Sequence, residues 1–86
     1  MIKISIIGAG NVGINLFKTL RKKKEVKIVS LFNRSIEKIL SYKDKIFVTN
    51  NIDEIKKSDI YIISTNDKSI EKISNDLKGR DGMVVH

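Results

Sequence analysis

Residues 6–13 read IIGAGNVG and place three glycines, at positions 8, 10 and 13, directly after a run of apolar residues. Glycine destabilises regular structure by about 0.5–1 kcal/mol relative to alanine, so this spacing indicates a backbone that requires the absence of side chains. A strand-like run precedes the glycines and a helical pattern follows them. The spacing therefore predicts a tight turn from a strand into a helix.

The segment around this turn has the pattern of a strand, a helix and a second strand. Residues 2–7 and 26–32 each end in apolar side chains, as strands with one buried end do. The whole unit spans about 30 residues, the usual length of a βαβ unit. Between the two strands, apolar residues recur at helical spacing and form one stripe: Val12, Ile14, Leu16, Phe17 and Leu20.

The alternation continues along the chain. Ser35 is predicted to cap a short helix over residues 36–40, and Asn50 and Asn51 are predicted to open a helical turn. Further strands are predicted over residues 45–49, 59–65 and 83–86, and the spacing of Ile70, Ile73 and Leu77 marks a helix between the last two. This order predicts an α/β fold, a Rossmann-like doubly wound parallel sheet of about five strands in three αβα layers.

In a sheet of this kind ligands bind beyond the carboxyl ends of the strands, which is where the glycine turn lies. Gly8 would allow the tight turn, Gly10 would let a pyrophosphate approach the backbone, and Gly13 would let the helix pack closely on the sheet. The amides of Asn11 and Val12 would then face the phosphates at the positive end of the helix dipole. A tight turn between a strand and a helix can require glycine for structural reasons alone. Here the turn follows a strand, opens a helix and is followed by a second strand, and this context favours a site that binds a dinucleotide.

The second strand ends in FNRS, where an acid would bind the adenosine ribose of NAD. Asn33 takes the place of that acid and can donate to a 2′-phosphate instead of repelling it. Arg34 can pair with the phosphate through its planar fork and stack on the adenine, and Ser35 can add a hydroxyl. The segment therefore favours NADP(H) as the cofactor. The alternative is that Arg34 is a solvated loop residue and that Ser35 only caps the following helix.

Composition narrows the class of protein. The chain has no cysteine and one histidine, which excludes disulfides and thiolate metal sites and makes a zinc centre unexpected. No apolar run approaches the roughly 20 residues that span a bilayer, and the N-terminus lacks a signal-peptide pattern, so a cytoplasmic protein is expected. The net charge of +7 would suit a polyanion, but the lysines are spread along the chain, so neither nucleic acid nor membrane is expected as a partner.

The segments IIGAGNVG, NRS and DIYIISTNDKSIEKIS followed by GMVVH resemble the N-terminal NADP-binding domain of the pyrroline-5-carboxylate reductase and β-hydroxyacid dehydrogenase group. Within that group the chain is most similar to a family of uncharacterised NADP oxidoreductases, in which a Rossmann-like domain precedes a helical C-terminal domain. The resemblance covers all 86 residues. It implies that residues 1–86 are the NAD(P)-binding domain of a longer chain, and relatives of this kind commonly form a homodimer through the helical domain.

The resemblance also implies three sets of cofactor contacts. They involve the pyrophosphate, the 2′-phosphate with the adenine, and the nicotinamide half. In that order the implied residues are Gly8, Gly10, Asn11, Val12 and Gly13; then Asn33, Arg34 and Ser35; then Thr65 and Asn66.

The chain departs from the family pattern at one place, near the reacting end of the cofactor. Where many relatives carry Val-Pro or Lys-Pro after the fourth strand, this chain has Thr65 and Asn66. The alternative to a cofactor contact here is that Asn66 and Asp67 cap the following helix. His86 could act as an acid or base, but no other such group forms a constellation, so the catalytic residues are expected outside this chain.

The sequence as a whole predicts the NADP(H)-binding part of an oxidoreductase that transfers hydride to or from a small-molecule substrate. A nucleotide-sensing regulatory module without catalysis is the alternative. A basic module that binds nucleic acid is a third reading, and it would not need the glycine pattern.

Overall fold

The computed structural model describes residues 1–8, 10–64, 75, 77 and 82–85. Within them five parallel strands form one sheet, in the order β3-β2-β1-β4-β5. The chain moves outward from β1 to β3 and then returns to β4 beside β1, which is the doubly wound α/β arrangement that the sequence predicts. The strands are β1 (Ile2–Ile7), β2 (Val26–Phe32), β3 (Val48–Thr49), β4 (Ile60–Ile63) and β5 (Met83–Val85).

The helix α1 spans Asn11–Leu20 and follows the glycine turn. It ends just before the basic residues 21–24, so cations lie near its carbonyl end, where they complement the helix dipole. The predicted stripe is wrong at Val12, which is 63% exposed. Gly13 takes the buried position in the first turn instead, and Phe17 takes it one turn later.

The prediction of a single short helix over residues 36–40 is also wrong. Ile36–Lys38 and Leu40–Tyr42 form two separate 3₁₀ turns, because Ile39 between them has φ −120° and ψ 0°. Ile39 is fully buried in the core, so packing of its side chain takes precedence over a continuous helix. Ser35 occupies the N-cap position, but its hydroxyl makes no cap bond to the turn.

The other boundaries differ by a few residues. The strand expected over 45–49 pairs only at Val48–Thr49, and the one expected over 59–65 is shorter. Ile52–Glu54 forms the expected turn, capped by Asn51, whose side chain accepts from the Asp53 amide. Of the helix expected after β4, Asn75 and Leu77 are described and are helical.

Each face of the sheet carries its own apolar core, as a three-layer fold requires. Helix α1 and residues 36–46 cover one face, and residues 52–55 with Leu77 cover the other. The buried members of the first core are Ile4, Ile6, Phe17, Leu31, Ile39 and Ile46. Those of the second are Ile7, Phe32, Ile55, Tyr61, Ile63 and Leu77.

Two further properties of the described part of the chain bear on function. No helix there is long and apolar enough to cross a membrane. Nor do three or more His, Asp or Glu side chains there come together in a group that could hold a metal ion.

Candidate functional site

The carboxyl ends of the central strands lie at one level. Ile7 of β1 is opposite Phe32 of β2 and Ile63 of β4, and Phe32 is in turn opposite Thr49 of β3. The residues that follow these strands therefore meet at one edge of the sheet. The glycine turn, the Asn33 loop and Ser64 all belong to this edge.

The turn after β1 begins at a glycine in a conformation that other residues rarely adopt. Gly8 has φ +102°, and it is buried. Its amide donates to the Phe32 carbonyl at 2.8 Å, which extends the pairing of β1 with β2 by one residue. A side chain at this position would strain the backbone whatever space surrounded it.

Gly13 is the place where α1 approaches the sheet most tightly. A Cβ built on Gly13 would overlap the carbonyl oxygen of Gly8 and would lie 2.7 Å from Ser64 Oγ. Gly8 O is a backbone atom and cannot move away without moving β1. This glycine therefore has the packing role that the sequence predicts for it.

Gly10 differs from Gly13, because a Cβ built on Gly10 has no atom of the described residues within 4 Å. Gly10 is the N-cap of α1, and the amide of Ile14 donates to its carbonyl at 3.0 Å. The amides of the preceding turn, at Asn11, Val12 and Gly13, have no carbonyl four residues back within the helix. A helix start of this kind, with open space beside Gly10, is suited to an anion.

Ser64 begins the segment STND, whose small polar side chains the sequence places at this edge without predicting that Ser64 contacts the glycine turn. Its amide donates to the Ile7 carbonyl at 2.8 Å, and its hydroxyl donates to the Gly8 carbonyl at 2.8 Å. The hydroxyl lies 3.3 Å from the Ile7 carbonyl as well. Ser64 thus connects the end of β4 to the glycine turn and orients the peptide after Gly8.

We expect Ser64→Ala to lower the free energy of unfolding by about 1 kcal/mol, the typical loss for one hydrogen bond. Because the Gly8 peptide loses its side-chain partner, the affinity for a nucleotide bound at this turn should fall severalfold as well. Urea unfolding and a binding titration measure the two effects. The exposed Ser41→Ala should change neither, and equal losses in both variants would contradict the role assigned to Ser64.

The loop after β2 is held to the sheet by its backbone and carries its polar groups outward. The amide of Asn33 donates to the Thr49 carbonyl at 3.1 Å. Its side chain donates to the Ser35 carbonyl at 2.9 Å, so Asn33 shapes the loop that it begins. Arg34 and Ser35 are exposed, and none of the three residues is acidic.

The structure holds an acid, Glu54 of the turn after β3, against the end of that neighbouring strand. Thr49 Oγ1 donates to Glu54 Oε1 at 2.7 Å, and the Asn51 amide donates to Thr49 Oγ1 at 3.0 Å. Thr49 is buried, so its hydroxyl ties the turn after β3 to the end of that strand. The carboxylate of Glu54 is therefore held by β3, next to the strand from which the Asn33 loop begins.

Three residues named from the sequence lie outside the described residues: Thr65, Asn66 and His86. The structure brings together the other two groups, which are the glycine turn and the loop of residues 33–35. Both lie on the carboxyl edge of the sheet, at the ends of the adjacent strands β1 and β2.

Comparison with known protein families shows which family this chain is related to. Residues 3–85 match the family described as NADP oxidoreductase, coenzyme F420-dependent. This chain belongs to that family. A match over nearly the whole chain makes it a nucleotide-binding domain of an oxidoreductase family, as the sequence resemblance implies. Comparison with curated protein sequences finds no match.

Solved structures share the fold over nearly all of this chain. A putative NADP oxidoreductase from Bacteroides fragilis is 28% identical, with a TM-score of 0.82 over 98% of this chain. An NAD-binding protein from Listeria innocua is 17% identical with a TM-score of 0.77 over 98% of this chain. GenD2 from gentamicin A biosynthesis, solved in complex with NAD, is 19% identical with a TM-score of 0.78 over 96% of this chain.

These proteins are much longer than the chain described here. The chain covers 35% of the Bacteroides fragilis protein and 26% of each of the other two. At 17% and 19% identity the latter two show the fold alone.

Proposed function

We propose that this chain is the NADP(H)-binding domain of an oxidoreductase that transfers hydride between the nicotinamide and a small-molecule substrate. The observation that carries the proposal is the juxtaposition of two features on one edge of the sheet. One is a glycine turn that opens a helix, and the other is a loop with an arginine and no acid at the end of the next strand.

The glycine turn fits a pyrophosphate by its shape. The space beside Gly10 admits a group that a side chain would displace, and Gly13 keeps α1 close to the sheet. The first-turn amides of α1 would donate to the phosphate oxygens, with the positive end of the helix dipole behind them. Ser64 would hold the Gly8 peptide in the orientation that this approach requires.

The loop of residues 33–35 supports NADP(H) over NAD(H). Arg34 would pair with a 2′-phosphate through two parallel hydrogen bonds, and the exposed hydroxyl of Ser35 lies one residue away. The bond from Asn33 to the Ser35 carbonyl fixes the turn that presents both groups. The name of the family, which includes NADP, supports the same cofactor.

When bound, the nicotinamide supplies the hydride chemistry, and the residues of this chain supply positioning and electrostatics. Thr65 and Asn66 are proposed to contact the nicotinamide half. The groups that bind the substrate are assigned to parts of a longer protein, in keeping with the share of the relatives that this chain covers. The family's description also names coenzyme F420, which we do not assign to any residue of this chain.

A titration of the ¹⁵N-labelled chain with NADPH tests the placement of the nucleotide. We expect saturable shifts in the amides of residues 10–14 and 33–35, because these face the proposed cofactor. The amides of Lys3 and Asp59, which meet at the opposite edge of the sheet, should stay unchanged. Shifts confined to that opposite edge, or no saturable shift, would refute the proposal.

A further inference from the structure

A second concave site lies at the other end of α1 from the glycine turn. It is a cavity of about 370 Å³ between the last turn of α1, the first half of β2 and the chain that leads into β3. A helix of this length separates its two ends by roughly 15 Å, so the cavity is distinct from the carboxyl edge. Its lining residues are Phe17, Arg21, Val26, Lys27, Ile28, Lys45 and Ile46.

The floor of the cavity is apolar. Phe17 and Ile46 are buried members of the first core, and Val26 and Ile28 are half-buried beside them. The pairing of β2 with β3 covers only Leu31 and Phe32. The first half of β2 therefore has no paired β3 residue beside it, and Val26 and Ile28 are the part of this floor that is only half-buried.

The rim of the cavity is cationic. Arg21, Lys27 and Lys45 are exposed, and none of the lining residues is acidic. The guanidinium carbon of Arg21 lies 5.5 Å from the centroid of the Phe17 ring, a cation–π geometry that holds the charge above the floor. Glu25 and Asp44 are sequence neighbours of these cations, but neither lines the cavity.

We propose that this cavity binds a small organic anion, composed of an apolar ring system and a carboxylate, sulfonate or phosphate group. The apolar floor would bury the ring system, and the three cations would attract the charged group. Pockets for small ligands usually have volumes of roughly 300–1,000 Å³, so a cavity at the lower end of that range suits a compact ligand. An uncharged ring compound would contact only the apolar floor, and a simple inorganic anion would contact only the cations of the rim. Either should therefore bind more weakly than a compound that has both parts.

An NMR titration with 2-naphthoate, with 2-naphthamide as its uncharged counterpart, tests this proposal. With 2-naphthoate we expect saturable shifts at residues 26–28 and 45–46, and no shifts at residues 10–14. The amide should bind more weakly at the same place. Equal binding of the two compounds, or shifts centred on the glycine turn, would overturn the proposal.

Two double variants that remove the same charge distinguish binding in this cavity from general attraction of an anion to a basic protein. We expect Lys27→Gln with Lys45→Gln to weaken 2-naphthoate binding about fivefold, as the loss of two exposed charge contacts allows. Lys22→Gln with Lys24→Gln removes the same charge from exposed residues outside the cavity and should leave binding unchanged. Equal weakening by the two pairs would refute a specific anion site.

Discussion

Gly13→Ala should lower the free energy of unfolding by about 2 kcal/mol, because overpacking of a tight contact typically costs 1–3 kcal/mol. The new methyl group would overlap the carbonyl oxygen of Gly8 and crowd Ser64 Oγ. Alanine gains about 1 kcal/mol in helix propensity over glycine, but the overlap involves backbone that cannot rotate away. The helix must therefore move off the sheet, which also displaces the first-turn amides and lowers nucleotide affinity. Urea unfolding and NADPH titration measure the two losses.

Gly10→Ala is the matched control for this prediction. Its new methyl group would meet no atom within 4 Å in the part of the chain that the structure describes, and its φ of −71° is one that alanine adopts readily. We expect its free energy of unfolding to stay within about 0.5 kcal/mol of the wild type, since the loss at the cap and the reduced freedom of the unfolded chain oppose each other. NADPH affinity should still fall, because the methyl group fills the proposed phosphate space. A stable Gly13→Ala variant, or a Gly10→Ala variant that binds NADPH normally, would contradict this division of roles.

The strands near the glycine turn were predictable because each has an unambiguous local signal. β1 and β2 have the bounds that the apolar runs indicate, since both lie inside the sheet and bury their carboxyl halves. β3 was overestimated because it lies at the edge of the sheet. Its pairing with β2 covers two residue pairs, and no local pattern reveals where such pairing stops.

The helical stripe shows a limit of hydrophobic periodicity. Val12 fits the period of the other apolar residues, yet it is exposed at the first turn of α1. The buried position belongs to Gly13, whose absent side chain carries no hydrophobic signal. Its burial is visible only once Gly8 and Ser64 are seen to approach it.

The edge of the sheet on which the candidate residues lie was predictable, whereas the contacts between distant segments at that edge were not. The glycine turn and the loop of residues 33–35 each follow a strand, so their shared edge follows from a parallel sheet. The contact of Ser64 with the glycine turn was missed because it depends on the approach of β4 to the turn after β1. The contact of Thr49 with Glu54 was missed for a similar reason, because their pairing depends on the course of the turn after β3.

Arg34→Ala should abolish a preference for NADPH over NADH. A bidentate bond between a guanidinium and a phosphate contributes about 1.5–3 kcal/mol, which is tenfold or more in affinity. NADH has no 2′-phosphate, so its affinity should change little. Lys24→Ala, which removes the same charge at an exposed position beyond the far end of α1, should leave both affinities unchanged.

The most direct test of the account is a set of calorimetric titrations with NADPH and NADH, on the wild-type chain and on Arg34→Ala. We expect the wild type to bind NADPH at least about tenfold more tightly than NADH, a difference of about 1.4 kcal/mol. The two cofactors should bind Arg34→Ala with similar affinity. Equal affinities in the wild type, or a preference that persists without Arg34, would contradict the assignment of the 2′-phosphate to the loop of residues 33–35.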